Sequence, residues 1–591
     1  MKDFLKIMLA SAVGFIVANI IFSIVSLIFF FGMLSSMISG FDKNTFVLKN
    51  NSVLHLRLEG LIQERVNEDA PFLMLVGNGQ IQNLGLNDVV SAIRKAKTND
   101  KIKGIYIESK MFSASSATLE AIRNELNDFK ESGKFIVAYA DNYLQDGYYV
   151  ASVADRLAVN PIGSLDLHGL TSMPLFYKDA LSKLGVEVQV FKVGSFKSAV
   201  EPFIDEKMSD ANREQTTSLL NDIWGKLKED IASGRNLSAA DIDSAANQMP
   251  LLKDPDFLIA NHLADTLLYE TEMKAYLRQL LNVSEEEEIA SATVEDMKSV
   301  RPAAKKKSKK RIALLYADGE IYSGSGSYGI QDRFFVSQIE ALRKDDDVKA
   351  VVFRVNSPGG SAYASEQIWK ALSDLKAQKP VVVSMGDMAA SGGYYISCNA
   401  NRIVAEPTSI TGSIGIFGLI PNLQGTAKKL GIATDVVKTN DFGDFGDLSR
   451  PMRKEEKDLL QKNVEQGYDL FVTRCAEGRN MPKDSILHYA EGRVWSGSQA
   501  KKIGLVDELG GIHDAIVIAA ELADLADDYA VYEYPKMRSF IEELLDPQKE
   551  KLALKALKEY VGEDFATLMQ IKKLKNQDFV QARLPFEFNI K

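Results

Sequence analysis

Ser391 is the residue whose surroundings most suggest chemistry. It lies in the run Gly386–Tyr395 (GDMAASGGYY), where an apolar strand gives way to small residues and then to a predicted helix. At a helix start, backbone N–H groups and the positive end of the helix dipole favour negative charge that develops beside a serine oxygen. The same position suits a serine that only caps the helix, and the run lacks the Gly-x-Ser-x-Gly pattern of the hydrolase elbow. Ser391 is therefore a candidate nucleophile or a helix cap.

A nucleophilic serine needs a base, and the histidines are poor candidates. The five are His55, His168, His262, His488 and His513. None lies in a glycine-rich or otherwise marked turn. Lysine can serve instead when burial lowers its pKa, because desolvation disfavours the ammonium and leaves a neutral amine. Lys197, in the segment Val193–Phe203 (VGSFKSAVEPF), is the candidate, although most lysines are simply exposed.

A second glycine-rich turn, Asn356–Ser361 (NSPGGS), follows the apolar run Ala350–Val355. Glycine allows unusual backbone torsions and close approach of N–H groups, so Gly359 and Gly360 are candidates for binding a carbonyl oxygen. A tight strand-to-helix turn would explain the same residues, and the turn alone favours that interpretation.

The chain also contains an internal repeat. Lys103–Ile107 (KGIYI) corresponds to Lys349–Phe353 (KAVVF), and Asp146–Tyr149 (DGYY) corresponds to Gly392–Tyr395 (GGYY). The members of each pair are 246 residues apart (349 − 103 and 392 − 146). A register held over this distance indicates duplication.

The repeat changes how the two candidate residues are interpreted. At the common offset of 246 residues, Ser391 corresponds to Gln145 and Lys197 corresponds to Gly443. Each half thus lacks the group that the other half has, which suggests a single site shared between the halves.

Each half has the pattern of alternating strands and helices. We expect strands at Val53–Leu58 and Ile312–Tyr316, and helices at Asn87–Ala96 and Val336–Arg343. Apolar runs such as Ile136–Tyr139 suit buried parallel strands, with the helices as crossovers. The pattern predicts an α/β fold in two tandem copies.

The first 41 residues predict a membrane anchor. No Asp, Glu, Lys or Arg occurs in Ile7–Phe41, which exceeds the ~20 apolar residues that a spanning helix needs. A cleavable signal has an apolar region of only ~7–15 residues, so an uncleaved anchor ranks first and a removed signal second. Lys2 and Lys6 precede the run and favour a cytoplasmic N-terminus.

The predicted organisation has five regions. They are an anchor (1–45), a first repeat (46–300), a basic linker (301–311), a second repeat (312–535) and a helical extension (536–591). The extension contains apolar residues at helix spacing in Ser539–Leu545 and Leu552–Tyr560.

Composition narrows the possible functions. The chain has 591 residues, 46% of them hydrophobic, and a formal net charge of −10, which rules out one small domain and gives no global attraction to nucleic acid. Its two cysteines, Cys398 and Cys475, cannot form a disulfide framework, and no Cys/His cluster has zinc-ligand spacing.

Four segments together carry a resemblance to a known family. They are Gly194–Phe203 (GSFKSAVEPF), Ser357–Ser361 (SPGGS), Ala390–Tyr395 (ASGGYY) and Thr411–Gly415 (TGSIG). In these the chain resembles the long form of the signal peptide peptidase A family, also called protease IV, whose members are membrane-bound bacterial serine peptidases. The resemblance covers nearly the whole length.

The resemblance implies a duplicated ClpP/crotonase-like fold and a Ser/Lys dyad. Ser391 would be the nucleophile and Lys197 the general base, with Ser413 orienting the amine. Backbone N–H groups of Gly359 or Gly360, together with Gly392, would form the oxyanion hole. No metal or organic cofactor is implied.

The resemblance also implies a location and partners. Family members are tetramers on the outer, periplasmic face of the bacterial cytoplasmic membrane, and they degrade signal peptides after their release. The expected partners are signal peptides and other short apolar peptides, the lipid bilayer through residues 7–41, and further copies of the chain. The basic run Lys305–Lys310 and the stretch Met537–Lys591 depart from the family pattern.

Two other classes remain possible on the fold alone, since fold does not fix function. One is a crotonase-like enzyme acting on acyl-coenzyme A, which the predicted anchor disfavours. The other is a non-catalytic membrane scaffold of the same fold.

Overall fold

A computed structural model describes residues 46–66, 83–300, 308–326 and 329–536, together with position 25 and the backbone of residues 581–583. Apart from position 25, the predicted anchor Ile7–Phe41 lies outside the described residues, as do the predicted helical stretches Ser539–Leu545 and Leu552–Tyr560. None of the helices within the described residues has the length and apolar character needed to cross a membrane.

The first half contains eight strands and ten helices in the described residues. They are β1 (Ser52–Gln63), β2 (Leu84–Gly85), α1 (Leu86–Thr98), β3 (Ile102–Ser113), α2 (Ser116–Lys130), β4 (Phe135–Ala140), α3 (Gln145–Ala151), β5 (Arg156–Val159), α4 (Lys178–Leu184), β6 (Glu187–Lys192), α5 (Glu201–Ile204), α6 (Asp210–Arg235), α7 (Ala239–Asn247), α8 (Asp256–Ala260), β7 (Thr266–Leu267), α9 (Glu270–Leu281), β8 (Ser291–Ala292) and α10 (Val294–Ser299). Short 3-10 turns cover Ser198–Val200 and Pro250–Leu252.

The second half repeats the order of the first as far as the strand Arg402–Ala405 (β15) and then diverges. Its elements are β9 (Arg311–Asp318), β10 (Ile321–Tyr322), β11 (Ile330–Gln331), α11 (Asp332–Lys344), β12 (Val348–Ser357), β13 (Gly359–Ser361), α12 (Ala362–Lys376), β14 (Val381–Ala390), α13 (Gly392–Ser397), β15 (Arg402–Ala405), β16 (Ile410–Gly412), β17 (Phe417–Asn422), α14 (Gln424–Lys429), α15 (Lys454–Arg479), α16 (Lys483–Tyr489), β18 (Val494–Ser496), α17 (Gly497–Lys502), β19 (Glu508–Leu509), α18 (Ile512–Leu522), β20 (Ala530–Tyr534) and β21 (Gln581–Arg583).

The predicted duplication is confirmed by the positions of the helices. Helix α11 starts and ends 246 residues after α1 (332 − 86 and 344 − 98), and α12 has the same relation to α2 (362 − 116 and 376 − 130). The strands that precede these helices also correspond, since β12 begins 246 residues after β3 (348 − 102). The fold is therefore two tandem α/β repeats, as the sequence pattern predicts. The predicted boundaries of the five regions stay predictions.

Each repeat has its own, mostly parallel sheet. The first sheet has the order β2-β1-β3-β4-β5-β7, with β8 beside β1, and all its pairs are parallel. The second has the order β18-β16-β14-β12-β9-β20, with β15 between β14 and β19, and only β16–β18 is antiparallel. Amphipathic helices cover these sheets. In α1, the buried residues Leu86, Val89, Val90, Ile93 and Ala96 recur at helical spacing and face the core.

A third sheet joins the two repeats. Its order is β11-β10-β13-β21-β17-β6, so β6 of the first repeat pairs antiparallel with β17 of the second, with Lys192 opposite Phe417. The short strand β21 lies between β13 and β17 and is antiparallel to both. This sheet fixes the chain that follows β6 against the second repeat.

Buried polar contacts also hold the repeats together. Arg354 on β12 forms a bidentate ion pair with Glu64, in which Nη2 and Oε1 are 2.7 Å apart and both side chains are 4% exposed. Asp387 on β14 accepts hydrogen bonds from the backbone N–H and the hydroxyl of Thr118 at the start of α2. A buried charge that lost its partner would be costly, so these pairs favour one docking arrangement of the two halves.

Candidate active site

Three strand ends from the two repeats meet at one place. Ser391 directly follows β14, and Ser413 directly follows β16, which is the parallel neighbour of β14 with Gly412 opposite Ala390. The carboxyl ends of adjacent parallel strands lie at the same edge of a sheet, where α/β proteins commonly bind their ligands. Lys197 comes from the first repeat, five residues after the end of β6. The pairing of β6 with β17 brings it to this edge.

The geometry joins the predicted nucleophile, base and orienting residue. The Lys197 amine nitrogen, Nζ, is 2.9 Å from Oγ of Ser391 and 3.0 Å from Oγ of Ser413. Nζ also donates to the backbone carbonyl oxygen of Ser413, at 3.2 Å. All three residues are fully buried. The amine is thus within proton-transfer distance of one hydroxyl and is held by two oxygens of another residue.

The surroundings of Lys197 are apolar. Its aliphatic chain packs against Gly415 and Gly492, where an added Cβ would lie 3.2 Å from Lys197 Cδ and 2.6 Å from Lys197 Cβ. The ring of Phe417 is centred 5.9 Å from Nζ. Burial lowers the pKa of Lys197 well below its ordinary value, and no carboxylate in the described part of the chain offsets that loss of hydration. A neutral amine in this position can accept a proton.

Ser391 occupies the cap position of α13, but its side chain does not cap the helix. Its side chain makes no capping hydrogen bond, and its backbone N–H donates to the carbonyl of Gly412 at 2.8 Å. Its torsions are φ 55° and ψ −115°, a strained conformation for a residue with a side chain that costs about 1–3 kcal/mol. The neighbouring strand holds this conformation, and Oγ is directed at the amine instead of at the helix.

The glycine turn of β13 packs against the start of α13. A Cβ on Gly393 would lie 2.7 Å from the carbonyl oxygen of Ser357, and a Cβ on Gly360 would lie 2.0 Å from that of Ile321. Gly359 has a φ of 99° and its N–H donates to the Ser357 hydroxyl at 3.1 Å. The close contacts of Gly360 and Gly393 and the positive φ of Gly359 favour glycine at these positions, which include two of the predicted N–H donors, Gly359 and Gly360. Their role as an oxyanion hole stays a prediction.

The first repeat has no equivalent site at the corresponding position. Gln145 opens α3 there, and its side chain binds backbone groups of His168 and Gly169 instead of a lysine. Gly443, the counterpart of Lys197, lies in an exposed loop. Cys398 and Cys475 are both buried in the core, as expected for small apolar residues.

Sequence reasoning missed several residues around the lysine. Gln215 on α6 donates to the carbonyl of Phe196 and to the hydroxyl of Ser198, on either side of Lys197. Phe417 and Gly492 shape the cavity of the side chain. No local pattern marks these three residues, because each reaches the site only through the packing of the repeats. Within the described ranges, no group of three or more His, Cys, Asp or Glu side chains could hold a metal ion.

A tandem α/β fold with a buried Ser–Lys pair at its strand ends defines the chain as a serine peptidase. Comparison with known proteins agrees. A model of peptidase family S49 matches residues 128–284 and 373–526, one segment in each repeat, and a Clp protease model matches residues 304–410. The chain belongs to peptidase family S49.

Its relatives are similar over most of their length. Protease 4 of Salmonella typhi is 38% identical over 456 residues, which are 76% of this chain and 73% of that protein. Protease 4 of Haemophilus influenzae is 35% identical over 516 residues, covering 84% of this chain and 83% of the relative. The chloroplastic serine protease SPPA of Arabidopsis thaliana is 29% identical over 487 residues, covering 81% of this chain and 70% of that protein. These relatives decide against the acyl-coenzyme A enzyme and the non-catalytic scaffold.

Proposed function

We propose that the chain hydrolyses peptides through an acyl-enzyme, with Ser391 as the nucleophile and Lys197 as the general base. One observation carries this assignment: a fully buried lysine amine without an acidic partner in the described residues lies 2.9 Å from a fully buried serine hydroxyl. Burying a lysine in its neutral form makes the free energy of folding less favourable, so a purely structural role explains Lys197 poorly.

The proposed reaction follows from the geometry. Neutral Lys197 takes the hydroxyl proton of Ser391 as Oγ forms a bond to the peptide carbonyl carbon. The carbonyl oxygen becomes an oxyanion, which the N–H groups of Gly359 or Gly360 and of Gly392 would stabilise. When the intermediate collapses, the C–N bond breaks and Lys197 returns the proton to the departing amine. Water then attacks the ester by the same route, while Ser413 keeps the lysine amine in place.

The proposed substrates are cleaved signal peptides and other short apolar peptides, bound in an extended form. The chain's own residues 581–583 support an extended mode, because they pair as a strand with Gly359–Ser361 on one side and Phe417 on the other. Main-chain hydrogen bonds of this kind bind a peptide without specifying its sequence.

The proposed location is the outer face of the bacterial cytoplasmic membrane, with residues 7–41 as an uncleaved anchor. The 35 residues of Ile7–Phe41 carry no Asp, Glu, Lys or Arg, which supports a span. The expected assembly is a homotetramer. Removing residues 1–41 should release the protein from membranes and preserve activity on soluble peptides. Tight membrane binding after this deletion would count against a single anchor.

The dyad is tested by Ser391→Ala and Lys197→Ala in the full chain. Each should abolish hydrolysis of a signal-sequence peptide, whereas the matched control Lys207→Ala, which changes an exposed lysine, should not. A fluorophosphonate probe should label the wild type and the control, and it should fail to label Ser391→Ala. Activity near the wild-type level in either dyad variant would refute the assignment.

A further inference from the structure

Gln215 joins the two halves of the site through one side-chain amide. It is 1% exposed and projects from α6 of the first repeat. Its Nε2 donates to the carbonyl of Phe196 and to the hydroxyl of Ser198, both at 3.0 Å. Its Oε1 accepts the backbone N–H of Val494 in the second repeat at 3.2 Å. Nε2 is also 3.3 Å from Oδ1 of Asn212, on the preceding turn of the helix.

The groups that hydrogen-bond to the Gln215 amide on its two sides are close in the structure to the reacting residues. Phe196 and Ser198 are the neighbours of Lys197 in the chain, so the amide clamps the turn that carries the base. On the other side, Val494 lies opposite Gly412 in the β18–β16 pair. The adjacent Arg493 accepts the backbone N–H of Ser413 through its carbonyl, at 2.7 Å.

Only a glutamine-like amide can make this connection. One planar group must supply N–H donors on one side and an acceptor on the other, which a carboxylate or a hydrocarbon cannot do. The interaction crosses between the repeats, so it sets their relative position at the site. A buried donor or acceptor left without its partner is costly, which stabilises this bridge, the contact of Gln215 with both repeats.

The charged groups around the lysine turn are directed elsewhere. Glu201 accepts from Ser209 and Asn212, while Oε2 of Glu491 accepts the backbone N–H of Ser195. Arg493 forms an ion pair with Glu214 at 2.9 Å. The protonation of the amine therefore depends on how tightly the turn excludes water.

We propose that Gln215 is a positioning residue of the active site, holding the base-bearing turn of the first repeat against β18, the strand that pairs with β16 just before Ser413. This inference rests on the proposed dyad. Without the bridge, Lys197 moves away from Ser391 and water reaches its amine. The lysine then spends more time protonated at neutral pH, and fewer molecules have a base ready to accept a proton.

The test compares Gln215→Met with the matched control Gln145→Met. Gln145 is also buried and makes three hydrogen bonds to the backbone, but it binds the 168–169 turn of the first repeat. Hydrolysis of a signal-sequence peptide is measured from pH 6 to 10, with melting temperatures as a check on folding. Gln215→Met should lower kcat by about tenfold to a hundredfold, the scale of a displacement near 1 Å, and should change KM little. The midpoint of its pH–rate profile should move upward, while that of Gln145→Met should stay at the wild-type value.

A second variant, Gln215→Asn, keeps the amide and shortens it by one methylene, so it can no longer reach both Ser198 and Val494. It should show the same upward movement of the midpoint with a smaller loss of kcat. Wild-type midpoints in both variants would overturn the proposal, provided that Lys197→Ala is inactive. Activity that persists in Lys197→Ala would overturn the dyad and this proposal together.

Discussion

Gly492 offers a way to displace the base without changing either reacting residue. An alanine there would place its Cβ 2.6 Å from Cβ of Lys197 and 2.7 Å from its Cα. Unbonded carbon atoms prefer about 3.5–4.0 Å, so the lysine turn must move by roughly 1 Å. A misplacement of that size costs about 10²-fold in rate, which corresponds to about 2.7 kcal/mol in the activation free energy. Gly492→Ala should therefore lower kcat/KM by about a hundredfold.

The control separates displacement from backbone strain. Gly446 has the same φ of 83° as Gly492, but an added Cβ would meet nothing within 4 Å. Both alanine variants should lose about 1–2 kcal/mol of stability from the left-handed conformation, and only Gly492→Ala should lose activity. The assay is peptide hydrolysis at one pH, with thermal unfolding of both variants. If Gly492→Ala stays within threefold of Gly446→Ala in kcat/KM, the described packing of Lys197 is wrong.

Four further predictions concern the same site. Burial lowers the pKa of Lys197 in the folded chain. Between that pKa and 10.5, the unfolded chain therefore binds one more proton than the folded chain, and the folded chain loses stability as the pH falls through this window. Lys197→Met should therefore unfold at a higher temperature than wild type near neutral pH, with a gap that closes toward pH 10.5; a less stable variant at every pH would contradict this. Ser413→Ala removes the 3.0 Å contact of the hydroxyl to Nζ of Lys197 but keeps the backbone carbonyl contact at 3.2 Å. The value of kcat should therefore fall roughly fivefold, which corresponds to the loss of one hydrogen bond. Complete inactivity would point to a larger role. A mixture of Ser391→Ala and Lys197→Ala chains should stay inactive in the hydrolysis assay, because the two groups meet within one chain; recovered activity would place the site between chains. Deleting residues 577–591 should lower KM for an extended peptide without changing kcat, since residues 581–583 occupy the edges of β13 and β17; an unchanged KM would mean that substrates do not use those edges.

The sequence predicts the residues whose roles depend on local turns. Ser391 stands at the end of a strand and Lys197 in a marked turn after a strand, whereas the role of Ser413 is implied only by the family resemblance. At the offset of 246 residues, Ser391 corresponds to Gln145 and Lys197 to Gly443, so each half lacks the group that the other half has. Helices α1 and α11 are also predicted, but the predicted ranges Asn87–Ala96 and Val336–Arg343 are shorter than the observed helices, whose bounds differ by 246 residues at both ends.

The rest depends on contacts between the repeats, which local patterns do not encode. The β6–β17 pair that delivers Lys197 breaks the symmetry, because residues 433–438 and 171–176, the counterparts of the two strands, form no strand. Gln215 meets Val494 across 279 residues of chain, and Gly492 meets Lys197 only when both halves are folded. Side chains of this kind look like ordinary buried residues until the packing is known.

The division of the dyad between the repeats also has a consequence for biosynthesis. The ribosome makes the half with the lysine first, and the serine follows 194 residues later. Domains generally fold in order from the N-terminus as the chain emerges, so the first repeat reaches its folded state while the nucleophile is still missing. A chain whose synthesis stops before residue 391 has a base and nothing to activate. With the proposed dyad, proteolytic activity would arise only when the second repeat has been made and has docked on the first, so chains that end before Ser391 would not digest their neighbours.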